Sequence, residues 1–140
     1  VQKISSFESK CSRQNQYYHV LNAGQGRVNC LISLNRIFGV QNKIEQVFCI
    51  GFCGGLSSQL KVGDIVYPNQ VGLLQNNTVS TLETSAGEDF KMLTVSEPIS
   101  TTKMKSQLYH KYNYDAVDME AYYVVKMCKE DLGLSVQVVK

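Results

Sequence analysis

The feature that most constrains the fold is the run Val47-Phe48-Cys49-Ile50, which passes without a polar break into Gly51-Phe52-Cys53-Gly54-Gly55. A short, continuous apolar run is what a strand covered on both faces requires, and such strands belong to parallel sheets flanked by helices. The three glycines at its end strip side chains from the sheet edge, where ligands of open α/β folds approach the backbone. The same glycines also suit a turn required by sterics alone.

The neighbouring segments repeat the pattern of strand, turn and helix. Tyr17 to Ala23 is β-branched and aromatic enough for a strand, and Gly24-Gln25-Gly26 breaks it. From Arg27 to Phe38 the residues Val28, Leu31, Ile32 and Phe38 keep helical spacing, with Gly39 standing where a C-cap glycine belongs. Val62 to Tyr67 reads as a strand before Pro68, Asn69 to Asp89 as loop or hairpin, and Met92 to Val95 as a further strand. Ser100-Thr101-Thr102 offers N-cap oxygens to a helix carrying Met104, Leu108 and Tyr112 on one face. A second long helix is expected over Asp118–Asp131, ended by Gly133, and a last strand over Ser135–Val139. Together these elements predict one α/β domain, residues 1–140, with a mostly parallel central sheet flanked by helices.

Charge names no partner. The 14 basic and 12 acidic residues leave a formal net charge of +2 and form no basic cluster, which disfavours nucleic acid and membrane surfaces as targets. No apolar run is long enough to cross a bilayer. The five cysteines are odd in number. Four of them sit in apolar surroundings, which predicts reduced thiols in a soluble, cytoplasmic protein rather than a disulfide framework. Cys49 and Cys53 have no second Cys or His pair to complete a zinc site, so no metal is expected. Asn76-Asn77-Thr78 matches a glycosylation acceptor, but nothing else suggests secretion.

Gly24-Gln25-Gly26 precedes a helix, as an anion-holding turn does, but it lacks the third glycine of a dinucleotide fingerprint and the GK[ST] ending of a P-loop. No organic cofactor is implied. The stretch Ala116-Val117-Asp118-Met119-Glu120-Ala121-Tyr122-Tyr123 is harder to place, because it sets two carboxylates in an apolar segment. On one helix, positions 118 and 120 would project about 160° to 200° apart, so they would not share a site. Asp118 then suits a helix-start or N-cap carboxylate favoured by the dipole. His19 and His110 read as a strand residue and an exposed helix residue.

Taken in order, "NAGQGRVN", "IGFCGGLSSQLKVGDIVYP", "TVSEPIS" and "AVDMEAYYVVKMC" resemble the nucleoside phosphorylase and nucleosidase superfamily. The branch most similar contains 5'-methylthioadenosine/S-adenosylhomocysteine nucleosidase and futalosine hydrolase. The resemblance covers most of the chain. It implies that Glu120 accepts hydrogen bonds from the ribose 2' and 3' hydroxyls while Met119 packs on the sugar. It further implies Cys53 and Gly54 along the purine, Phe52 near the ribose or nucleophile, and Ile99–Ser100 at base or sugar. Homo-oligomerisation, a small-molecule nucleoside substrate and the absence of any cofactor follow from the same resemblance.

In the phosphorylases of this superfamily an arginine precedes the glycine turn and a serine or threonine lies within it; here those places hold Cys49 and Phe52. A thiol and a phenyl ring cannot give phosphate a charge-assisted fork, which favours water as nucleophile. Arg27 keeps phosphorolysis open as an alternative. The superfamily also carries a glutamate after its first strand, to activate water, and a Ser-Asp pair after its last, to protonate the purine. Neither falls within this sequence, so the catalytic proton-transfer groups are unassigned and the domain is expected to be incomplete at both termini. A non-catalytic nucleoside-binding domain is the rival expectation, and a plain α/β domain whose glycines are only turns is a third.

Overall fold

The computed structural model describes residues 7–11, 16–40 and 44–140. Strands β1 (Phe7–Cys11) and β2 (Gln16–Val20) form an antiparallel hairpin. Helix α1 (Gly26–Val40) follows, then β3 (Gln46–Ile50) and the two-residue strand β4 (Gly54–Gly55). A hairpin of β5 (Pro68–Gln75) and β6 (Thr78–Glu83) leads to β7 (Glu88–Thr94) and helix α2 (Thr102–Tyr112). The chain ends with β8 (Ala116–Asp118), α3 (Ala121–Val125), its π-helical continuation Lys126–Asp131, and β9 (Ser135–Val139).

The principal sheet has five strands in the order β4-β8-β7-β5-β6, and β3 pairs with β9 beside it. Strands β5, β7 and β8 run parallel, as do β3 and β9, while β4 and β6 are antiparallel additions at the two edges of the principal sheet. Within the principal sheet, parallel strands thus make the buried centre and antiparallel strands the rims, whereas β3, expected from its continuous apolar run to be covered on both faces, leaves Phe48 and Ile50 exposed. Strand β9 is tied across to the β5–β7 side by Ser85 N–H donating to Val136 O (2.8 Å) and by two mutual bonds between Val66 and Lys140 (2.8 and 3.0 Å).

The main core packs α1 and α3 against the sheet through Cys30, Leu34, Val71, Met92, Tyr122, Val125, Val136 and Val138. All five residues of α3 are buried, so this helix is apolar all round, as an element enclosed on every side must be. On the other face a smaller cluster of Leu56, Leu93, Val95, Tyr114 and Val117 receives Leu108, Tyr109 and Tyr112 of α2. Thr101 caps α2 by accepting the Met104 N–H at 3.2 Å, and Asn113 ends it in the left-handed conformation at φ 57°.

Four further local expectations need correction. Gly39 is not a cap: α1 runs one residue past it to Val40, and its φ is not positive. Val62–Tyr67 is not a strand, because Asp64 folds back to make a turn. Its Oδ2 accepts the Lys61 N–H at 2.8 Å, and Gly63 adopts φ 97°, leaving Val62 and Ile65 exposed. The strand begins instead at Pro68, a position where a missing N–H is tolerated. Asp118 lies in β8 rather than in a helix, and the helix starts only at Ala121. Strand β1 was not anticipated; the anticipated Tyr17–Ala23 strand ends early, at Val20.

Candidate active site

Parallel strands β7 and β8 both end at one edge of the principal sheet, at Thr94 and Asp118, and β3 and β9 end at Ile50 and Val139. The glycine turn leaves this edge from β3 and returns as β4, whose Gly54 and Gly55 pair with Val117 and Ala116 of β8. A Cβ on Gly54 would lie 3.3 Å from Val117 Cγ1, a tight approach that glycine avoids where the turn lies against β8. Thus the segment Cys53–Gly54 and the segment Met119–Glu120 emerge side by side.

Asp118 is buried at the centre of this edge. Its Oδ1 accepts the Thr94 hydroxyl at 2.7 Å, and its Oδ2 accepts the Ala121 N–H at 2.9 Å. The Lys140 ammonium stands 2.9 Å from the same Oδ2, with both side chains almost fully enclosed. Thr94 Oγ1 in turn accepts the Tyr122 N–H at 3.0 Å. Both first N–H groups of α3 are therefore satisfied by side chains that the strands deliver. Burial by itself lowers Lys140, but the Asp118 carboxylate, with Cys49 and Glu120 adding to it, more than offsets this and the ammonium is held above its ordinary value.

Glu120 points the other way. Its Oε1 accepts the Gly26 N–H at 2.7 Å, and Met119 Sδ accepts from Gln25 Nε2 at 3.2 Å. Both contacts come from the turn that opens α1, where Gly24 and Gly26 have φ of 73° and 78°. A carboxylate suits this place, since unpaired N–H groups and the positive end of the dipole meet there. Among the described residues, Glu120 Oε2 has no hydrogen-bond partner. Next to Gly26, the Arg27 guanidinium lies over the Tyr123 ring, 5.8 Å from its centroid. Burial raises Tyr123, and Arg27 partly opposes that.

No protein-family model matches the sequence, and no curated protein matches it. Solved structures do match. MTAN from Helicobacter pylori superposes with a TM-score of 0.76 at 16% identity, over 99% of this chain and 78% of that one. Futalosine hydrolase of Helicobacter pylori strain 26695 gives 0.75 at 16% identity, over 99% and 77%. The 5'-methylthioadenosine/S-adenosylhomocysteine nucleosidase from Neisseria meningitidis, in complex with methylthio-immucillin-A, gives 0.78 at 16%, over 98% and 71%. The chain has the fold of these nucleosidase and futalosine hydrolase structures.

On this nucleosidase-type fold the residues expected from sequence are only partly brought together. Cys53, Gly54, Met119 and Glu120 share the strand-end edge. Cys53 is half-buried, and burial raises its thiol against the partial opposition of Lys140. Ile99 is half-buried and packs against the smaller cluster of Leu56, Leu93, Val95, Tyr114 and Val117. Ser100 is exposed just before the Thr101 cap, and Phe52 projects from the turn with 98% of its surface exposed. Cys49 is half-buried behind the turn, its thiol pushed up to about 11 by burial. Both histidines fall where the sequence puts them, His19 in β2 and His110 on the exposed side of α2.

Gln25, Gly26, Thr94 and Lys140 were not foreseen as neighbours of the site. Thr94 had a visible signal, as a hydroxyl within the run Met92–Val95, and Lys140 had one as a cation directly after Val138 and Val139. A concavity of about 370 Å³, lined by Asn69, Gln70, Glu83, Thr84, Ala86 and Gly87, opens at the opposite edge, where β5 and β7 begin. It carries none of the residues discussed above, and the geometry of the strand ends is the better guide to chemistry.

Proposed function

We propose that this protein hydrolyses the N-glycosidic bond of a purine nucleoside, of the methylthioadenosine, S-adenosylhomocysteine or futalosine type. The reading is supported above all by one observation: Glu120 and Met119 emerge beside the bare Cys53–Gly54 turn at the strand ends of a nucleosidase-type fold. The superposed MTAN and futalosine hydrolase structures favour it, as does a Helicobacter pylori nucleosidase solved with butyl-thio-DADMe-Immucillin-A. At 16–17% identity they share this chain's architecture.

Cleavage of such a bond passes through a sugar with oxocarbenium character, and a carboxylate that accepts the 2'-hydroxyl strengthens its hold as positive charge grows. Glu120 is built for that role. Gly26 fixes Oε1 and so sets the direction of Oε2, which among the described residues has no protein partner to give up when it takes a sugar hydroxyl. Met119, held through its sulfur by Gln25, supplies an apolar wall to the sugar. The glycine turn lets a flat base lie on the backbone of Cys53 and Gly54. Water is the favoured nucleophile because Cys49, a neutral thiol, and Phe52, an exposed ring, offer phosphate no charge.

Arg27, poised beside Gly26, favours phosphorolysis as the second reading. One experiment separates the possibilities: each of the three nucleosides is incubated with the protein, with and without phosphate, and free base is quantified by chromatography. Hydrolysis predicts base release that is independent of phosphate. Release only with phosphate supports the second reading, binding without release supports a non-catalytic nucleoside-binding domain, and neither binding nor release overturns all three.

A further inference from the structure

We propose that Lys140 is a positioning residue for the nucleoside site: its ammonium bridges the glycine turn and the Met119–Glu120 turn and thereby fixes the direction of the Glu120 carboxylate. This role presupposes Glu120 as the ribose-binding group of the proposed function. The Lys140 Nζ stands 2.9 Å from Asp118 Oδ2, with the two side chains 3% and 0% exposed. The same oxygen accepts the Ala121 N–H at 2.9 Å. Met119 and Glu120 are therefore a two-residue span whose two ends are tied to one carboxylate, and Lys140 holds that carboxylate in place.

On the other limb the ammonium packs beside Gly51. A Cβ on Gly51 would lie 3.2 Å from Lys140 Nζ, so the ammonium occupies room that this glycine leaves open. Gly51 N–H donates to Val139 O at 3.2 Å, which fixes the start of the turn to the strand that carries Lys140. The backbone of Lys140 is itself anchored, with its N–H and C=O both bonded to Val66 at 3.0 and 2.8 Å. The cation is thus mounted on a rigid frame between two limbs that have to keep their spacing if base and ribose are to be held together.

Energetics point the same way. The desolvation cost of a buried ion pair commonly offsets its Coulomb attraction, so such a pair is poor value as a source of stability, and what it adds is fixed geometry. The pair is also neutral as a whole, so it does not repel the positive charge that develops on the sugar.

Amide hydrogen exchange at Gly26 tests the role directly, because the partner of that N–H is Glu120 Oε1. In Lys140→Met, exchange at Gly26 is expected to quicken about tenfold or more, while Val71 and Met92 in the sheet keep their wild-type rates. Lys140→Arg, which keeps the charge, is expected to restore most of the protection. Base release should fall about tenfold in Lys140→Met, in kcat more than in KM. If Lys140→Met does not fold, Thr94→Val removes a second support of the same carboxylate and is expected to loosen Gly26 in the same direction. Wild-type exchange at Gly26 in whichever variant folds overturns the inference. Absence of turnover in the wild type overturns the proposed function instead, and the Gly26 measurement still decides the role of Lys140.

Discussion

The backbone N–H of Gly26 donates to Glu120 Oε1 across 2.7 Å, joining residues 94 positions apart in sequence. Through this bond the start of α1 is docked on the start of α3. The glycine-broken turn and the carboxylate form one structure, although nothing in the sequence around either of them shows it.

Removing that carboxylate should affect ligand more than fold. Glu120 is half-buried, and a hydrogen bond to a charged group is worth about 1.5–3 kcal/mol, so Glu120→Ala should weaken nucleoside binding about 10- to 100-fold. Its melting temperature should stay within a few degrees of the wild type. Calorimetry with an adenosine analogue gives the first quantity and thermal denaturation the second; equal affinity in the two proteins would remove Glu120 from the site.

Asp118 behaves differently because its partners are buried with it. Asp118→Ala strips the carboxylate from Thr94, Ala121 and Lys140 together and leaves an enclosed ammonium unpaired, a loss of about 3–5 kcal/mol. The double replacement Asp118→Leu with Lys140→Met should recover most of this in urea denaturation, since an apolar pair is often as stable as the ion pair it replaces. Base release should not recover with it. A double variant with full activity would show that the ion pair has no role at the site.

The buried thiols predict an alkaline limit to stability. Burial pushes Cys30 and Cys128 up to about 12 and Cys49 up to about 11, from an ordinary value of 9.0. The folded values lie above the unfolded one, so the folded chain keeps protons that the unfolded chain releases. The stability these thiols contribute is whole below pH 9.0 and is lost as pH climbs through about 11 to 12. Urea midpoints measured from pH 7 upward should therefore stay level with respect to these groups and then decline above about pH 9. Iodoacetamide should modify Cys30 and Cys128 slowly at neutral pH in the folded protein and quickly in urea.

Gly72 in β5 is a packing glycine. A Cβ there would run into the Tyr114 hydroxyl and a Val79 methyl group. Gly72→Ala should cost about 1–3 kcal/mol by overpacking, measured by urea denaturation. Adding Tyr114→Phe should return part of that cost by removing the clashing oxygen, which otherwise pairs with Thr81 Oγ1 at 3.2 Å. A second loss of the same size would mean that Tyr114 does not cause the strain.

Much of the architecture was legible in the chain itself. The strand at Val47–Ile50, the glycines after it and the Ser135–Val139 strand each declare themselves through local composition and are found in those places, but β3 is not covered on both faces, because it pairs with β9 at a rim that leaves Phe48 and Ile50 exposed. The Thr101 cap declares itself in the same way. Where local and long-range interactions compete, the sequence misleads. Ala116-Val117-Asp118 has the spacing of a helix start, but pairing with β7 and β4 draws it into the sheet. Val62–Tyr67 has the residues of a strand, yet Asp64 and Gly63 close it into a turn.

By itself, then, the sequence determined where most of the strands lie, where glycine bares the sheet edge, and that Asp118 and Glu120, two charges in an apolar segment, each need a partner. Only the tertiary structure decided which partners those are. Asp118 faces Lys140 and Thr94, and Glu120 faces Gly26, because strands far apart in sequence end at one edge of the fold. Periodicity reports which face of an element is covered, and a charge among apolar residues reports that it needs a partner. The identity of that partner depends on sheet order and register, which are set by the packing of the whole chain.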